Sequence, residues 1–130
     1  MRGRTLCLPA VTLAALCLAS CGGGSSSTPT TPTNPTVTTT ITITAAGASP
    51  QHIQVSPGTR VTFVNSDTRN HSMTSDPHPD HTDCPEINQV GLFTPGERKE
   101  TGNLNTVGTC KFHDHDLPLV ASLTGSITIK

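Results

Sequence analysis

The segment Thr40-Ile41-Thr42-Ile43-Thr44 alternates polar and apolar residues without a break. A period of two sends Ile41 and Ile43 to one face and the threonines to the other, which suits a strand half-buried against a core and not a helix. Ile53 and Val55 repeat the pattern, Val61 and Phe63 repeat it again, and Ile127 and Ile129 close the chain with it. Ser56-Pro57-Gly58-Thr59 and Pro95-Gly96 read as turns, in which the proline sets φ and the glycine supplies a positive φ. Further short segments are Arg60 to Asn65, Val90 to Phe93, an edge segment from Glu97 to Thr101, and a central strand entered at Gly108. With no Trp, no Tyr and only Phe63, Phe93 and Phe112, the core must rest largely on Val, Ile and Leu. Seven to eight short strands punctuated by turns, with no helical period, predict an all-β sandwich. About 90 residues from Thr39 onward are enough for one small domain.

The chain ahead of that domain reads differently. Arg2 and Arg4 precede an apolar run of thirteen residues, Leu6 to Leu18, too short to span a bilayer and suited to an export signal. It ends in Leu18-Ala19-Ser20-Cys21, which resembles the lipobox of bacterial lipoproteins. That resemblance implies a signal over residues 1–21, with Cys21 carrying acyl chains and holding the protein on a membrane. Gly22 follows the cysteine, with no Asp beside it to suggest inner-membrane retention, and either membrane, the cell outer membrane included, could hold the anchor. An ordinary secretory signal with a chance cysteine is the other reading. Residues 22–38 are Gly/Ser/Thr/Pro-rich and cannot bury apolar surface, so they read as a disordered linker reaching roughly 50 Å at about 3.1 Å per residue. The folded domain is then 39–130, exported and facing the periplasm or the cell surface. Two of the eight basic residues, Arg2 and Arg4, leave with the signal, so six face nine acidic ones, a poor balance for binding nucleic acid.

Of the five cysteines, Cys7 and Cys17 fall in the signal and Cys21 in the lipobox, which leaves Cys84 and Cys110. Two thiols in an exported domain are expected to pair. A bridge between them would stabilise the fold by about 3.5 kcal/mol on the chain-entropy model and pin the polar 75–88 loop to the central strand. The rival reading makes one of them a metal thiolate.

The central strand ends in Phe112-His113-Asp114-His115, and His71, His78 and His81 lie earlier in the chain. Imidazole and carboxylate suit Cu(II) or Zn(II). On a regular strand residues i and i+2 share a face, so His113 pairs with His115. If Phe112 packs inward, Asp114 shares its side and the two imidazoles face the other way. Either His71 meets Asp114 or His113 meets His115, and all four converge only if the strand breaks near residue 114. A hydrogen-bonded network, with Asp114 accepting backbone N–H groups at a loop start, is the metal-free alternative. His52, isolated on a polar face, reads as surface.

From Ile41 to Lys130 the chain resembles the cupredoxin (plastocyanin-like) superfamily. The features are the Val55-Ser56-Pro57-Gly58 turn, the Val61-Thr62-Phe63-Val64-Asn65 strand, the Asn70-His71 pair, the Thr94-Pro95-Gly96 turn, the Gly108-Thr109 entry and the Gly125-Ser126-Ile127-Thr128-Ile129 ending. The segment from Ser75 to Pro85, taken with the later His-Asp-His, is similar to a branch of bacterial exported cupredoxin-like lipoproteins. The resemblance implies a Greek-key β-sandwich and, at its usual site, copper used for electron transfer. His71 matches the family's first ligand histidine and Phe112 an aromatic position. Cys110 stands at the family's Tyr, Asp114 at its ligand Cys, Leu117 at its second ligand His and Leu123 at its axial Met. A blue copper centre needs a thiolate with two imidazoles, so the substitutions put electron transfer in doubt.

The expected function is therefore binding of copper, or another divalent metal such as zinc, through His71, His113, Asp114 and His115, with His78 and His81 secondary. The protein would act as a carrier or as a redox partner of another protein. The alternative is a metal-free module presenting the 75–88 loop to a protein or glycan. No nucleophile triad, phosphate loop or buried carboxylate pair is legible, and no enzymatic activity is expected.

Overall fold

The computed structural model describes residues 35–130. The expected signal and the expected lipid site at Cys21 lie outside the described residues. So does most of the expected linker, although Thr36–Val37 already forms a strand inside its bounds.

Ten strands make up the described chain: β1 (Thr36–Val37), β2 (Thr40–Thr44), β3 (Gly47–Ser49), β4 (His52–Val55), β5 (Thr62–Asn65), β6 (His71–Ser75), β7 (Gly91–Phe93), β8 (Arg98–Glu100), β9 (Gly108–Asp114) and β10 (Gly125–Ile129). The excess over the seven or eight expected comes from β1 and β3, edge segments of two and three residues, too short to carry an alternation. They form two sheets, ordered β1-β4-β10-β9-β6-β7 and β3-β2-β5-β8. Packed together they make an all-β sandwich.

The alternating residues face inward as their period requires. Ile41, Ile43, Ile53, Val61, Phe63 and Ile127 are fully buried, and the Phe63 and Phe112 rings meet edge to face at 5.3 Å. Both glycine turns adopt the expected form: Gly58 and Gly96 each have φ of 84°, and hydrogen bonds close the turns from Thr59 N–H to Ser56 O and from Glu97 N–H to Thr94 O. Gly125 has a different reason to be glycine. A Cβ there would stand 2.1 Å from the Gln51 carbonyl and 2.4 Å from the Phe112 ring, so β10 passes too close to its neighbours for any side chain.

Two features of this frame position the histidines. Strand β9 lies between β10 and β6, with Met73 opposite Asp114 and Thr74 opposite His113. The chain after β6 returns over the outer face of the same sheet. It is tied there by Asp76 N–H to Lys111 O (3.1 Å) and Asp83 N–H to Asp76 O (2.9 Å), and at its far end a disulfide joins Cys84 to the inward-facing Cys110, with Cα atoms 5.7 Å apart. The expected pairing of these cysteines is the one formed, and neither thiol is left to ligate a metal.

Candidate metal centre

Strand β9 sends its side chains to opposite faces. Cys110, Phe112 and Asp114 point into the sandwich, while Thr109 and Lys111 point out. His113 also points out, yet it is buried because the loop after β6 covers it.

On the inner side, His71 is fully buried between two carboxylates. Its Nδ1 lies 2.7 Å from Asp114 Oδ2 and its Nε2 3.1 Å from Asp67 Oδ2. With a carboxylate oxygen at each ring nitrogen, both nitrogens are engaged. Asp114 Oδ1 also accepts the Ser72 and Asp116 N–H groups at 3.2 and 3.1 Å. Asp67 accepts the Thr68 N–H and two guanidinium N–H groups of Arg69. Its carboxyl is held below the usual range, first by the Thr68 N–H and, against the opposing effect of desolvation, by His71 and Arg69. No buried side-chain nitrogen or oxygen among the described residues lacks a partner. This is the hydrogen-bonded alternative realised for Asp114. The site that the family resemblance assigns to copper does not fit the metal, since an aspartate on His71 Nδ1 fills it and both cysteines are bridged, with no thiolate to ligate.

On the outer side, four imidazoles converge. His113 of β9, His115 just past its end, and His78 and His81 of the covering loop each offer one ligand atom, all within 4.8 Å of one another. Three are oriented by specific partners. His113 Nδ1 donates to Asp76 Oδ1 at 2.6 Å, which leaves Nε2 free to ligate, met only by the Thr74 hydroxyl at 3.4 Å. His81 Nδ1 donates to the Ser75 carbonyl at 2.8 Å and likewise frees Nε2. His115 Nδ1 stands 3.0 Å from that Nε2, where a cation would replace the shared hydrogen. His81 adopts a left-handed backbone with φ of 53°, a conformation uncommon for a non-glycine residue. Its N–H to Pro77 O (2.7 Å) and the Asn88 Nδ2 bond to its carbonyl (2.9 Å) hold it there. Backbone strain at a residue so tightly determined marks it as one whose side-chain direction matters.

Four nitrogens at about 2.0–2.1 Å from a metal stand roughly 3.3 Å apart in a tetrahedron, and roughly 2.9 and 4.1 Å apart in a square plane. The observed spread needs only a modest contraction to either arrangement. Desolvation, and then the charges of His115, His113 and His81, hold the His78 imidazole below its ordinary pKa. The lone pair of His78 therefore stays available to lower pH than that of a free imidazole.

Of the expected ligands, His113 and His115 are brought together, and His78 and His81, expected as secondary, complete the set. His71 and Asp114 are not part of it: strand β9 stays regular to Asp114, so the pleat keeps that carboxylate and its partner on the inner face. Two residues escaped the sequence reading. Asp67 stands in the run Asn65-Ser66-Asp67-Thr68-Arg69-Asn70-His71, where all seven residues are polar and hydrophobic periodicity has nothing to register. Asp76 is the carboxylate that orients His113, and its place within the polar 75–88 loop was the only signal.

An aspartate that orients a ligating imidazole typically accounts for about 10–100-fold of metal affinity. Asp76→Asn is expected to weaken metal binding by that factor while leaving the thermal unfolding temperature nearly unchanged, as paired metal titrations and melting curves would show.

No protein-family model matches the sequence, and no curated protein sequence does. Solved structures do match its shape. A purple cupredoxin from Nitrosopumilus maritimus is 20% identical, with 72% of this chain and 100% of that one covered at a TM-score of 0.54. Oxidised plastocyanin from Dryopteris crassirhizoma is 20% identical, covering 70% and 99% at 0.54. A reduced amicyanin variant is 12% identical, covering 77% and 89% at 0.56. At these identities the likeness establishes the fold: the chain is a cupredoxin-like β-sandwich.

Proposed function

We propose that this protein binds one divalent metal ion, copper in preference to zinc, on the outer face of its six-stranded sheet, and that it works as an extracytoplasmic metal carrier. The observation that carries this reading is the convergence of His78, His81, His113 and His115, three of them already oriented by hydrogen bonds. The four imidazoles would hold the ion, which supplies positive charge and a Lewis-acidic position there. Asp76 and the Ser75 carbonyl keep His113 and His81 in the tautomers that ligate. With no thiolate and three of the four rings toward the surface, the set favours reversible loading over the fast electron exchange of a blue copper centre. A Cu(I) form of an amicyanin variant with the same fold supports copper over zinc as the cargo.

The sequence before residue 35 supports an exported protein, lipid-anchored to a membrane at Cys21 and carried on a flexible linker. Such a tether would let the carrier meet a metal-delivering or redox partner protein near the membrane.

Protons compete with the metal for imidazole lone pairs, so affinity must fall as pH drops through the ordinary imidazole value of about 6.5. Competition titration against a chelator of known strength should show a loss of more than about tenfold between about pH 7.5 and 5.5. Affinity independent of pH over that range would mean that the imidazoles are not the ligands.

A further inference from the structure

The four imidazoles are not held alike. The rings of His81, His113 and His115 each have a hydrogen-bond partner, while the ring of His78 has none among the described residues and is exposed. Its ring centre lies 5.2–5.6 Å from the other three, so it closes the cluster from the solvent side without being fixed there.

His78 and His113 also line one wall of a groove of about 510 Å³ on the outer face of the sheet. The sheet register supplies the rest of the lining. Lys111 is two residues before His113 on β9, roughly 6.6 Å along the same face. It pairs across with Ser126 of β10, which pairs in turn with His52 of β4, and the His52 ring meets the Ser126 hydroxyl at 2.9 Å. A row of ammonium, hydroxyl and imidazole therefore leads up to the least secured ligand. Asp76 stands at the same wall, but its carboxylate is engaged by His113. Its charge disfavours a dianion such as phosphate more than a singly charged ligand.

We propose that His78 is the exchangeable ligand of this centre, and that a small carboxylate enters by the groove, displaces it, and is bound jointly by the metal and Lys111. The step is a ligand substitution: the metal–nitrogen bond to His78 breaks, a metal–oxygen bond to the carboxylate forms, and no electron changes hands. The imidazole leaves neutral and swings toward solvent. His81, His113 and His115 retain the ion, as three protein ligands do where a fourth position is open. The inference rests on the four-histidine centre binding a metal.

Acetate added to the Cu(II)-loaded protein tests it, read by visible absorption and electron paramagnetic resonance. The expected result is a saturable shift toward mixed nitrogen and oxygen ligation. His78→Ala should keep one equivalent of copper and take acetate more tightly, since no ligand must be displaced. Lys111→Ala should leave copper binding intact and weaken acetate about two- to fivefold, the range of a solvent-exposed charge pair. Spectra unchanged by acetate, or loss of copper in His78→Ala, would overturn the exchange while leaving the centre itself standing. Failure of the unaltered protein to bind copper would remove both.

Discussion

His71→Ala is expected to destabilise the fold by at least about 1–3 kcal/mol, the cost of leaving a buried hydrogen-bonding group without its partner, and to leave one equivalent of metal still bound. The reason lies in what the alanine leaves behind. Asp114 is 1% exposed and would lose its shortest contact, the 2.7 Å bond to His71 Nδ1, keeping only two backbone N–H donors. Asp67 would lose the His71 Nε2 contact at 3.1 Å. Asp114 is nearly fully buried, and a buried polar group left without its partner costs more than its pairing contributes. Urea denaturation of both proteins measures the effect. A pH series adds a signature. The Asp67 carboxyl is depressed in the folded protein, so its contribution is present above the unfolded value of about 3.9 and is lost as pH falls through the folded one. Taking away His71 removes one of the groups that depress it, and acid unfolding should begin at a higher pH.

The second large effect belongs to the outer face. His81→Asn combined with His115→Ala should lower metal affinity by more than about a hundredfold, since outer-shell partners alone account for about 10–100-fold. The substitutions are chosen to spare the fold. Asparagine tolerates the left-handed backbone that His81 adopts at φ of 53°, and His115 is exposed. Only His78 and His113 would remain, and two imidazoles without a chelating frame hold a divalent ion weakly. Isothermal titration with Cu(II) and with Zn(II) would read the loss, and urea denaturation of the metal-free variant should show stability close to that of the parent. The two predictions are opposed by design: one substitution removes stability and keeps the metal, the other removes the metal and keeps stability.

That opposition shows where sequence reading reached and where it stopped. The alternation of Ile41 with Ile43, and of Ile127 with Ile129, was enough for the sandwich, because apolar residues on one face of a strand have only one place to go. Strand β6 was harder to read past Met73. Its inward positions are His71, Met73 and Ser75, and two polar residues out of three erase the hydrophobic period. The pleat of β9 was legible in outline: with Phe112 inward, Asp114 must follow and His113 must oppose it. The disulfide was expected to pin the 75–88 loop to the central strand, and the piece not foreseen was that the loop first crosses the outer face. That path depends on the Lys111 carbonyl, the Ser75 carbonyl and the disulfide, long-range contacts that leave no periodic trace. Without it His78 and His81 looked peripheral, and His71 drew attention through a family resemblance whose metal position an aspartate fills. The histidine cluster and the fold thus belong together in a different way from that expected: the sandwich closes its interior with a carboxylate–imidazole–carboxylate network and presents imidazoles on the opposite face of the same strand.

The most direct measurement is a Cu(II) titration of the purified protein with its disulfide intact, followed by electron paramagnetic resonance and visible absorption, run in parallel on His71→Ala and on the His81→Asn, His115→Ala double variant. The account predicts one equivalent of copper with nitrogen superhyperfine structure and no intense band near about 600 nm, retained without His71 and lost in the double variant. An intense blue band, or copper lost with His71 and kept in the double variant, would place the metal inside the sandwich and contradict it.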